Sequence, residues 1–402
     1  MRSYIKDNNE IATSPSQRPS LALLFISFFG LGMTSFGGPA MTVYIRRMAV
    51  EHKKWLDDPT FLAGVALCQA IPGATAMQVA AYVGLRTRGV AGSAATYIGF
   101  GLPAFLIMIS LSALYVRTHN LPIVVSLFSG LQAIIVAIIA NAAVSFGRNY
   151  LKVRRDMMIA AFAAGMFILK VNPILVILLS ALIGLIAYRD QHFQQKSVSL
   201  VETPKTIRPL IFILSAAATG FVLLLILQKN IFDMAVMMLR IDLFAFGGGF
   251  ASVPLMLHEF VEVRSWMDSS TFMNGIALGQ ITPGPIVITA TFVGYILYGP
   301  PGAVIATVSI LLPSFLMIIG AVPYYDRFSS SPWFNRAVSG IFCSFVGLLA
   351  SAAFHFALIM PLDVFHVVTA IASFVALLYR VEIRWVVLLG AIISVILGIK
   401  VI

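Results

Sequence analysis

The sequence LCQAIPG at residues 67–73 returns in the second half of the chain as LGQITPGP at residues 278–285. Each copy places a Pro-Gly pair inside an apolar segment long enough to cross a bilayer. Proline removes a helical hydrogen bond and glycine adopts conformations that other residues avoid, so both segments should break at this pair. Matching helix breaks in the two halves of a membrane protein indicate a binding site.

The repetition extends well beyond the Pro-Gly pairs. Phe36-Gly37-Gly38 has a counterpart in Phe246-Gly247-Gly248, and rare residues then follow in the same order in both halves. Shared composition does not align Trp, Pro and Gly over so long a stretch, so the sequence predicts an internal duplication. Further matched pairs are Trp55 with Trp266, Gly84 with Gly294, Gly92 with Gly302, Pro103 with Pro313, and Gly130 with Gly340.

The composition is that of an integral membrane protein. Of the 402 residues, 59% are hydrophobic and 11% are charged, whereas soluble domains carry roughly a quarter charged residues. The net charge of +11 lies mostly in short loops, where Lys and Arg set membrane orientation, and does not indicate nucleic-acid binding. Cys68 and Cys343 lie in apolar runs and offer neither a disulfide framework nor a metal cluster.

The apolar runs predict an all-α polytopic membrane protein of about 13 spans. Residues 1–20 are expected to form an N-terminal cytoplasmic segment, residues 21–190 a first repeat of about six spans, and residues 231–402 a second such repeat. A linker at residues 191–230 adds one span, which places the second repeat upside down relative to the first. The expected fold is therefore a pair of inverted repeats with broken helices.

The distribution of Lys and Arg supports this orientation with one exception. Loops near residues 148–155, 189–208, 327–336 and 380–384 are basic and fall on the cytoplasmic side. The loop at residues 40–58 is also basic, yet it falls outside if the first Pro-Gly segment crosses the membrane. A re-entrant hairpin at the Pro-Gly pair is the alternative, and the crossing is the preferred interpretation.

The helix breaks carry the candidate binding site. A break frees backbone N–H groups, and a helix that begins at Gly73 or Gly284 would direct its N-terminal dipole at an anion. The alternative is a set of kinked helices that pack through small residues. The expected substrate-binding residues are Ser35, Gly37, Gly38, Gln69, Pro72, Gly73, Gln78, Arg86, Arg240, Gly247, Gly248, Gln280, Pro283 and Gly284.

Charged residues near the breaks are the candidates for holding the anion or a coupling ion. Arg240 and Asp242 fall inside an apolar segment, where charges are often functional, although an Arg beside its carboxylate at the interface is the alternative. Arg86 either attracts an anion or sets orientation. The coupling candidates are Asp242, His258, Glu259 and Glu262, with solvation of a loop as the alternative for the last three.

At these residues the sequence resembles the chromate ion transporter family in its two-domain form, over nearly the whole chain. The first half carries the resemblance in Ser35-Phe36-Gly37-Gly38-Pro39, Trp55-Leu56, Leu67-Cys68-Gln69, Pro72-Gly73 and Leu102-Pro103, and the second half in Phe246-Gly247-Gly248 and residues 280–285. The resemblance implies a secondary transporter of the cytoplasmic membrane that exports chromate, a tetrahedral dianion, without a cofactor.

The resemblance leaves alternatives open. Sulfate or another anion is the competing substrate, and a homodimer in the lipid membrane stays open. A membrane-embedded enzyme is the alternative from another class, but the sequence shows no metal-ligand pattern, nucleotide-binding loop or pair of buried carboxylates. A non-transporting scaffold gives no reason for two symmetric helix breaks.

Overall fold

The computed structural model describes residues 19–36, 38–190, 207–324 and 330–398, which form fifteen α-helices. The first half contains α1 (Leu21–Thr34), α2 (Gly38–Arg46), α3 (Asp58–Ala70), α4 (Thr75–Thr118), α5 (Pro122–Tyr150), α6 (Arg154–Ile168) and α7 (Pro173–Ala187). A linking helix, α8 (Ile207–Leu227), precedes the second half. That half contains α9 (Lys229–Leu243), α10 (Gly249–Met256), α11 (Ser269–Ile281), α12 (Thr289–Ala321), α13 (Pro332–Ile359), α14 (Val364–Leu378) and α15 (Ile383–Gly398).

The order of elements repeats. A π-helical turn follows α2 at Arg47–His52 and another follows α10 at Leu257–Val263. Five segments of the described chain are long and apolar enough to cross a membrane, and they correspond to α4, α5, α8, α12 and α13. The all-helical membrane class is therefore confirmed, whereas the total of about 13 spans and the inverted arrangement stay predictions.

The helices on either side of the first Pro-Gly pair fold back on each other. Gly64 of α3 packs against the ring of Tyr82 in α4, and the Tyr82 hydroxyl donates a hydrogen bond to the Thr60 carbonyl at 3.1 Å. The second half repeats this contact with Gly275 against Phe292. In a continuous helix these residues would be far apart, so the segment folds back at the Pro-Gly pair, as the hairpin alternative expects.

A second reversal divides α4 into two antiparallel segments. At Arg88 and Gly89 the backbone leaves the helical region, with φ of 65° at Gly89. Gly84 then packs against Gly92, and a β-carbon at Gly101 would lie 2.9 Å from the Met77 methyl group. We name the segments α4a (residues 75–87) and α4b (residues 90–118). The same reversal at Gly299, with φ of 63°, divides α12 into α12a (residues 289–297) and α12b (residues 300–321).

Equivalent long helices of the two halves run antiparallel at the centre. Gly147 of α5 lies against Val346 of α13, and Tyr150, three residues later in α5, stacks on Phe342, four residues earlier in α13, with 4.4 Å between ring centroids. The helices α4b and α12b also cross there, where the Tyr97 hydroxyl donates to the Leu311 carbonyl at 2.7 Å. Both halves therefore contribute to one shared core.

The last helices of each half pack against the opposite half. Gly184 of α7 lies against Gly340 of α13, with 2.9 Å between the position of a β-carbon and the Gly340 Cα. In the equivalent place, Gly130 of α5 lies against Ser394 of α15. Small residues allow this close approach of helices, and the exchange joins the two halves into one unit.

Candidate functional site

The two Pro-Gly breaks meet at the centre through a reciprocal pair of hydrogen bonds. The N–H of Gly73 donates to the carbonyl of Ala245 at 2.9 Å, and the N–H of Gly284 donates to the carbonyl of Ser35 at 2.9 Å. Ser35 and Ala245 are equivalent positions, each directly after the first helix of its half. These two glycine N–H groups therefore bind the opposite half in this structure, and the assignment of Gly73 and Gly284 to the substrate site stays a prediction.

The tip of the first hairpin is anchored by side chains. The Ala74 N–H donates to the Ser314 hydroxyl at 2.9 Å, and that hydroxyl donates to Asp242 Oδ2 at 2.6 Å. The Gln78 side chain donates to the Pro72 carbonyl at 2.7 Å. Gly73 has φ of 116° and Gly284 has φ of 118°, a region that favours glycine.

The glycine-rich break of the second half lies between the starts of both broken helices. A β-carbon at Gly248 would be 3.1 Å from the Thr75 hydroxyl, and one at Gly249 would be 2.9 Å from the Ile286 side chain. Thr75 begins α4a, whose first-turn N–H groups have no helical acceptor. Gly247 packs against Phe146; Gly38 begins α2, and Gly37 lies outside the described residues.

Several buried polar atoms beside these breaks lack a partner in the described part of the chain. They are Ser35 Oγ, Gln78 Oε1, Asp242 Oδ1 and Gln280 Nε2. A buried polar group without a hydrogen bond is costly, and water or a bound solute usually satisfies it. Ser35 Oγ, Gln78 Oε1 and Gln280 Nε2 therefore fit a place where a polar ligand binds between the hairpins, whereas the Asp242 carboxylate would repel an anion and is not part of that site.

A basic cavity connects this centre to the loops. The cavity has a volume of about 720 Å³, and Thr34, Phe36 and Gln280 lie at its inner end. Its remaining polar lining comes from Tyr44 of α2, from the end of α5 with Asn141, Ser145, Arg148 and Asn149, and from the α14–α15 connection with Arg380, Glu382 and Arg384. Gln69 lies instead on a second cavity of about 430 Å³, beside Asn149 and Lys152.

Two of the expected anion-binding cations lie away from the hairpin tips. Arg86 is at the far end of α4a, about 20 Å along the helix from Gly73. Arg240 is partly exposed and pairs with Glu259 at 3.6 Å. The structure therefore does not bring either guanidinium to the Pro-Gly breaks.

The remaining coupling candidates form a separate cluster on the π-helical turn of the second half. His258 Nδ1 lies 2.9 Å from Glu262, which in turn lies 3.5 Å from His355 of α13. These side chains line a cavity of about 250 Å³ together with Lys170. His258 and Glu259 are buried, so solvation of a loop does not describe them.

Comparison with known families agrees with this duplicated arrangement. The family model described as chromate transporter matches residues 22–185 and again residues 232–396. The chain belongs to the chromate transporter family. The two matches cover equivalent elements, from the first helix of each half to the last. No solved structure matches the chain.

Curated relatives of the family align over most of the chain. An uncharacterized transporter of Methanocaldococcus jannaschii is 40% identical over 396 residues, which cover 98% of this chain and 97% of the relative. A probable chromate transport protein of Synechococcus elongatus is 30% identical, covering 83% and 84%. A chromate transport protein of Cupriavidus metallidurans is 29% identical, covering 85% and 83%.

Sequence reasoning missed several residues at the centre of this family member. Ser314 anchors the first hairpin tip, and Arg148 and Arg380 line the basic cavity. One available sign was the difference between the halves, because Ser314 stands where the first half has Ala104. The two arginines gave no such sign, since basic loop residues also serve membrane orientation.

Proposed function

We propose that this protein is a secondary transporter that exports a tetrahedral inorganic oxyanion across the cytoplasmic membrane. Chromate is the preferred substrate, because curated relatives are named chromate transport proteins. Sulfate, which shares the tetrahedral shape and double negative charge, is the alternative substrate. The anion binds between the two hairpin tips and the glycine-rich breaks.

The reciprocal hydrogen bonds from Gly73 to Ala245 and from Gly284 to Ser35 carry this proposal. These bonds join the helix breaks of the two halves, so that a movement of one half would displace the helix break of the other. Transporters with duplicated halves bind substrate at such an interface of discontinuous helices. The first-turn N–H groups at Thr75 supply hydrogen-bond donors for an oxyanion, as does the Gln280 amide, which has no partner among the described residues.

The proposed topology has inverted halves with about nine full crossings, formed by α4b, α5 to α8, α12b and α13 to α15. The starts of α1 and α4b share one side, because Arg88 donates to the Pro19 carbonyl. The start of α3 lies on that side as well, because the Tyr82 hydroxyl near the end of α4a donates to the Thr60 carbonyl. The helices before α4b then enter and leave from that side. Because the linking helix α8 adds a single crossing, the second half is inverted relative to the first.

This topology removes the exception in the charge distribution. The basic loop at residues 40–58 now lies on the same side as the connections after α5, α7, α12b and α14, which agrees with a cytoplasmic excess of Lys and Arg. The opposite side receives fewer basic residues, among them Arg117, Lys170, Lys229 and Arg264.

The basic cavity supports the proposed direction of export. Arg148 and Arg380 lie on the cytoplasmic side of this topology and line the path to Gln280. Neither guanidinium forms an ion pair within the described residues, while Arg384 is paired with Glu382. Unpaired cations along a cavity raise the local concentration of a dianion at its entrance.

Transport rather than catalysis is proposed even though one cluster has the order of a catalytic triad. Ser129 Oγ lies 2.7 Å from His366 Nε2, and His366 Nδ1 lies 2.8 Å from Asp363. Asp363 also caps the start of α14 by accepting the His366 N–H at 2.9 Å. These bonds join α14 to α5, and we assign them a structural role.

Reconstitution of the full chain into proteoliposomes tests the proposed function. We expect labelled sulfate and chromate to exchange across the membrane, each competing with the other, and chromate to be recovered unchanged. Chloride should compete weakly because it carries a single negative charge and has no oxygen acceptors. Absence of exchange for both oxyanions in correctly folded protein would refute the proposal, and chemical conversion of chromate would favour the enzyme.

A further inference from the structure

Asp242 is a carboxylate buried at the first hairpin tip. It lies at the end of α9 with 1% exposure, and its Oδ2 accepts the N–H of Ser314 at 2.8 Å and the hydroxyl of Ser314 at 2.6 Å. The same hydroxyl accepts the Ala74 N–H at 2.9 Å. Asp242 is therefore connected to the tip through a single side chain, while its Oδ1 has no partner among the described residues.

The scaffold does not need this carboxylate. In the first half, the positions of Asp242 and Ser314 are occupied by Gly32 and Ala104. There Gly32 packs against the Phe100 carbonyl, and Ala104 lies against Gly284 of the other tip. Two hairpins of the same shape thus form, one with a carboxylate–hydroxyl pair and one without. A polar pair present in only one of two equivalent packing sites points to a functional role.

No described cation neutralises Asp242. Arg240 is two residues away on the same helix, which places it on a different face, and it pairs with Glu259 of the π-helical turn. From α4b the nearest titratable group is Tyr97, whose hydroxyl donates to the Leu311 carbonyl. From α12b, the residue that contacts Asp242 is Ser314. A buried carboxylate without a cation is costly when ionised, and such residues often carry protons in transporters.

We infer that Asp242 binds and releases the proton that couples anion transport to the pH gradient, an inference that rests on the proposed function. The step is the binding of one proton by the Asp242 carboxylate and its later release, with no other reactant. Ionised Asp242 accepts two charge-assisted hydrogen bonds from Ser314, which are about twice as strong as neutral ones. Protonation weakens them and loosens the Ala74 contact at the tip, so the charge of Asp242 sets the state of the first hairpin.

Two transport measurements on the reconstituted full chain separate coupling from binding. The first is exchange of labelled sulfate at equal pH on both sides, and the second is sulfate accumulation driven by a pH gradient. For Asp242→Asn we expect gradient-driven accumulation to fall by about tenfold or more, while exchange stays within about threefold, because the amide cannot change charge. Asp233→Asn, on the same helix, is the matched control and should change neither.

A second variant keeps the test decisive if Asp242→Asn folds poorly. Ser314→Ala copies the first half and removes the hydroxyl between Asp242 and Ala74, so exchange should persist while the pH midpoint of gradient-driven accumulation moves. The inference is overturned if both variants retain the pH-gradient response of the unmodified protein, or if exchange and accumulation fall equally in them. It is also overturned if a sodium gradient alone drives accumulation. If the unmodified protein exchanges no oxyanion, the proposed function itself fails.

Discussion

At the scale of single residues, the two tip glycines hold the centre together. Gly73→Val and Gly284→Val introduce a β-branched side chain at positions where φ is 116° and 118°. A β-carbon would meet the Ser314 hydroxyl in the first case and would lie 2.6 Å from the Ala104 methyl group in the second. We expect each variant to lose about tenfold or more in sulfate exchange, since the hydrogen bond to the opposite half is displaced.

Gly165→Ala is the matched control, because a β-carbon there meets nothing within 4 Å. Gly184 does not serve this purpose, since it lies against Gly340. Thermal unfolding in detergent should show that the Val variants remain folded. If one variant alone is inactive, the binding site is asymmetric. If exchange is unchanged in both variants, the anion does not bind at the Pro-Gly breaks.

Single cations in the basic cavity should act on affinity. For Arg380→Gln and Arg148→Gln we expect the KM for sulfate to rise by about three- to tenfold, with less effect at high salt, because surface charges are screened. Lys at either position should restore part of the affinity, since it keeps the charge without the planar fork. Arg117→Gln lies outside the cavity and is the control; an equal effect there would indicate net charge alone.

At the scale of elements, close glycine contacts allow each reversal of α4 and α12. Gly84 packs against Gly92, and Gly294 against Gly302, so Leu at either position forces the antiparallel segments apart. We expect Gly84→Leu and Gly294→Leu to lower the stability by about 1–3 kcal/mol or more, visible as a lower Tm in detergent. Gly30→Leu, where a β-carbon meets nothing within 4 Å, should leave the Tm nearly unchanged. Similar melting of all three variants would contradict this packing.

At the scale of the whole molecule, the inverted topology predicts which side each loop faces. Lys53 and Arg264 occupy equivalent positions before α3 and α11. With Lys53→Cys and Arg264→Cys, we expect a membrane-impermeant thiol reagent to label the first from the cytoplasm and the second from outside. Background labelling should be low because Cys68 and Cys343 are buried.

Lys152→Cys provides the reference for the cytoplasmic side. Labelling of Lys53→Cys and Lys152→Cys from opposite sides would support the alternative in which the first Pro-Gly segment crosses the membrane. Labelling of Lys53→Cys and Arg264→Cys from the same side would rule out the inverted halves. A reporter fused after Ile402 should agree with Arg264→Cys.

The membrane class, the duplication and the positions of the helix breaks can all be read from the amino-acid sequence alone. Hydropathy is a sum over local residues, and Pro72-Gly73 and Pro283-Gly284 interrupt a helix whatever surrounds them. The repeated glycines at Gly84 and Gly294 were visible as well, but their role in a helix reversal was not. Local patterns therefore located the centre of the molecule without giving its geometry.

The contacts that the helix breaks make, in contrast, become visible only in the folded molecule. Whether a broken helix crosses or folds back depends on contacts such as Gly64 with Tyr82, between residues far apart in sequence. The partners of the Gly73 and Gly284 N–H groups come from the opposite half, as does Ser314 beside Ala74. Arg148 and Arg380 share one cavity because α5 and α14 pack together. Long-range packing, which local periodicity does not encode, selected these partners.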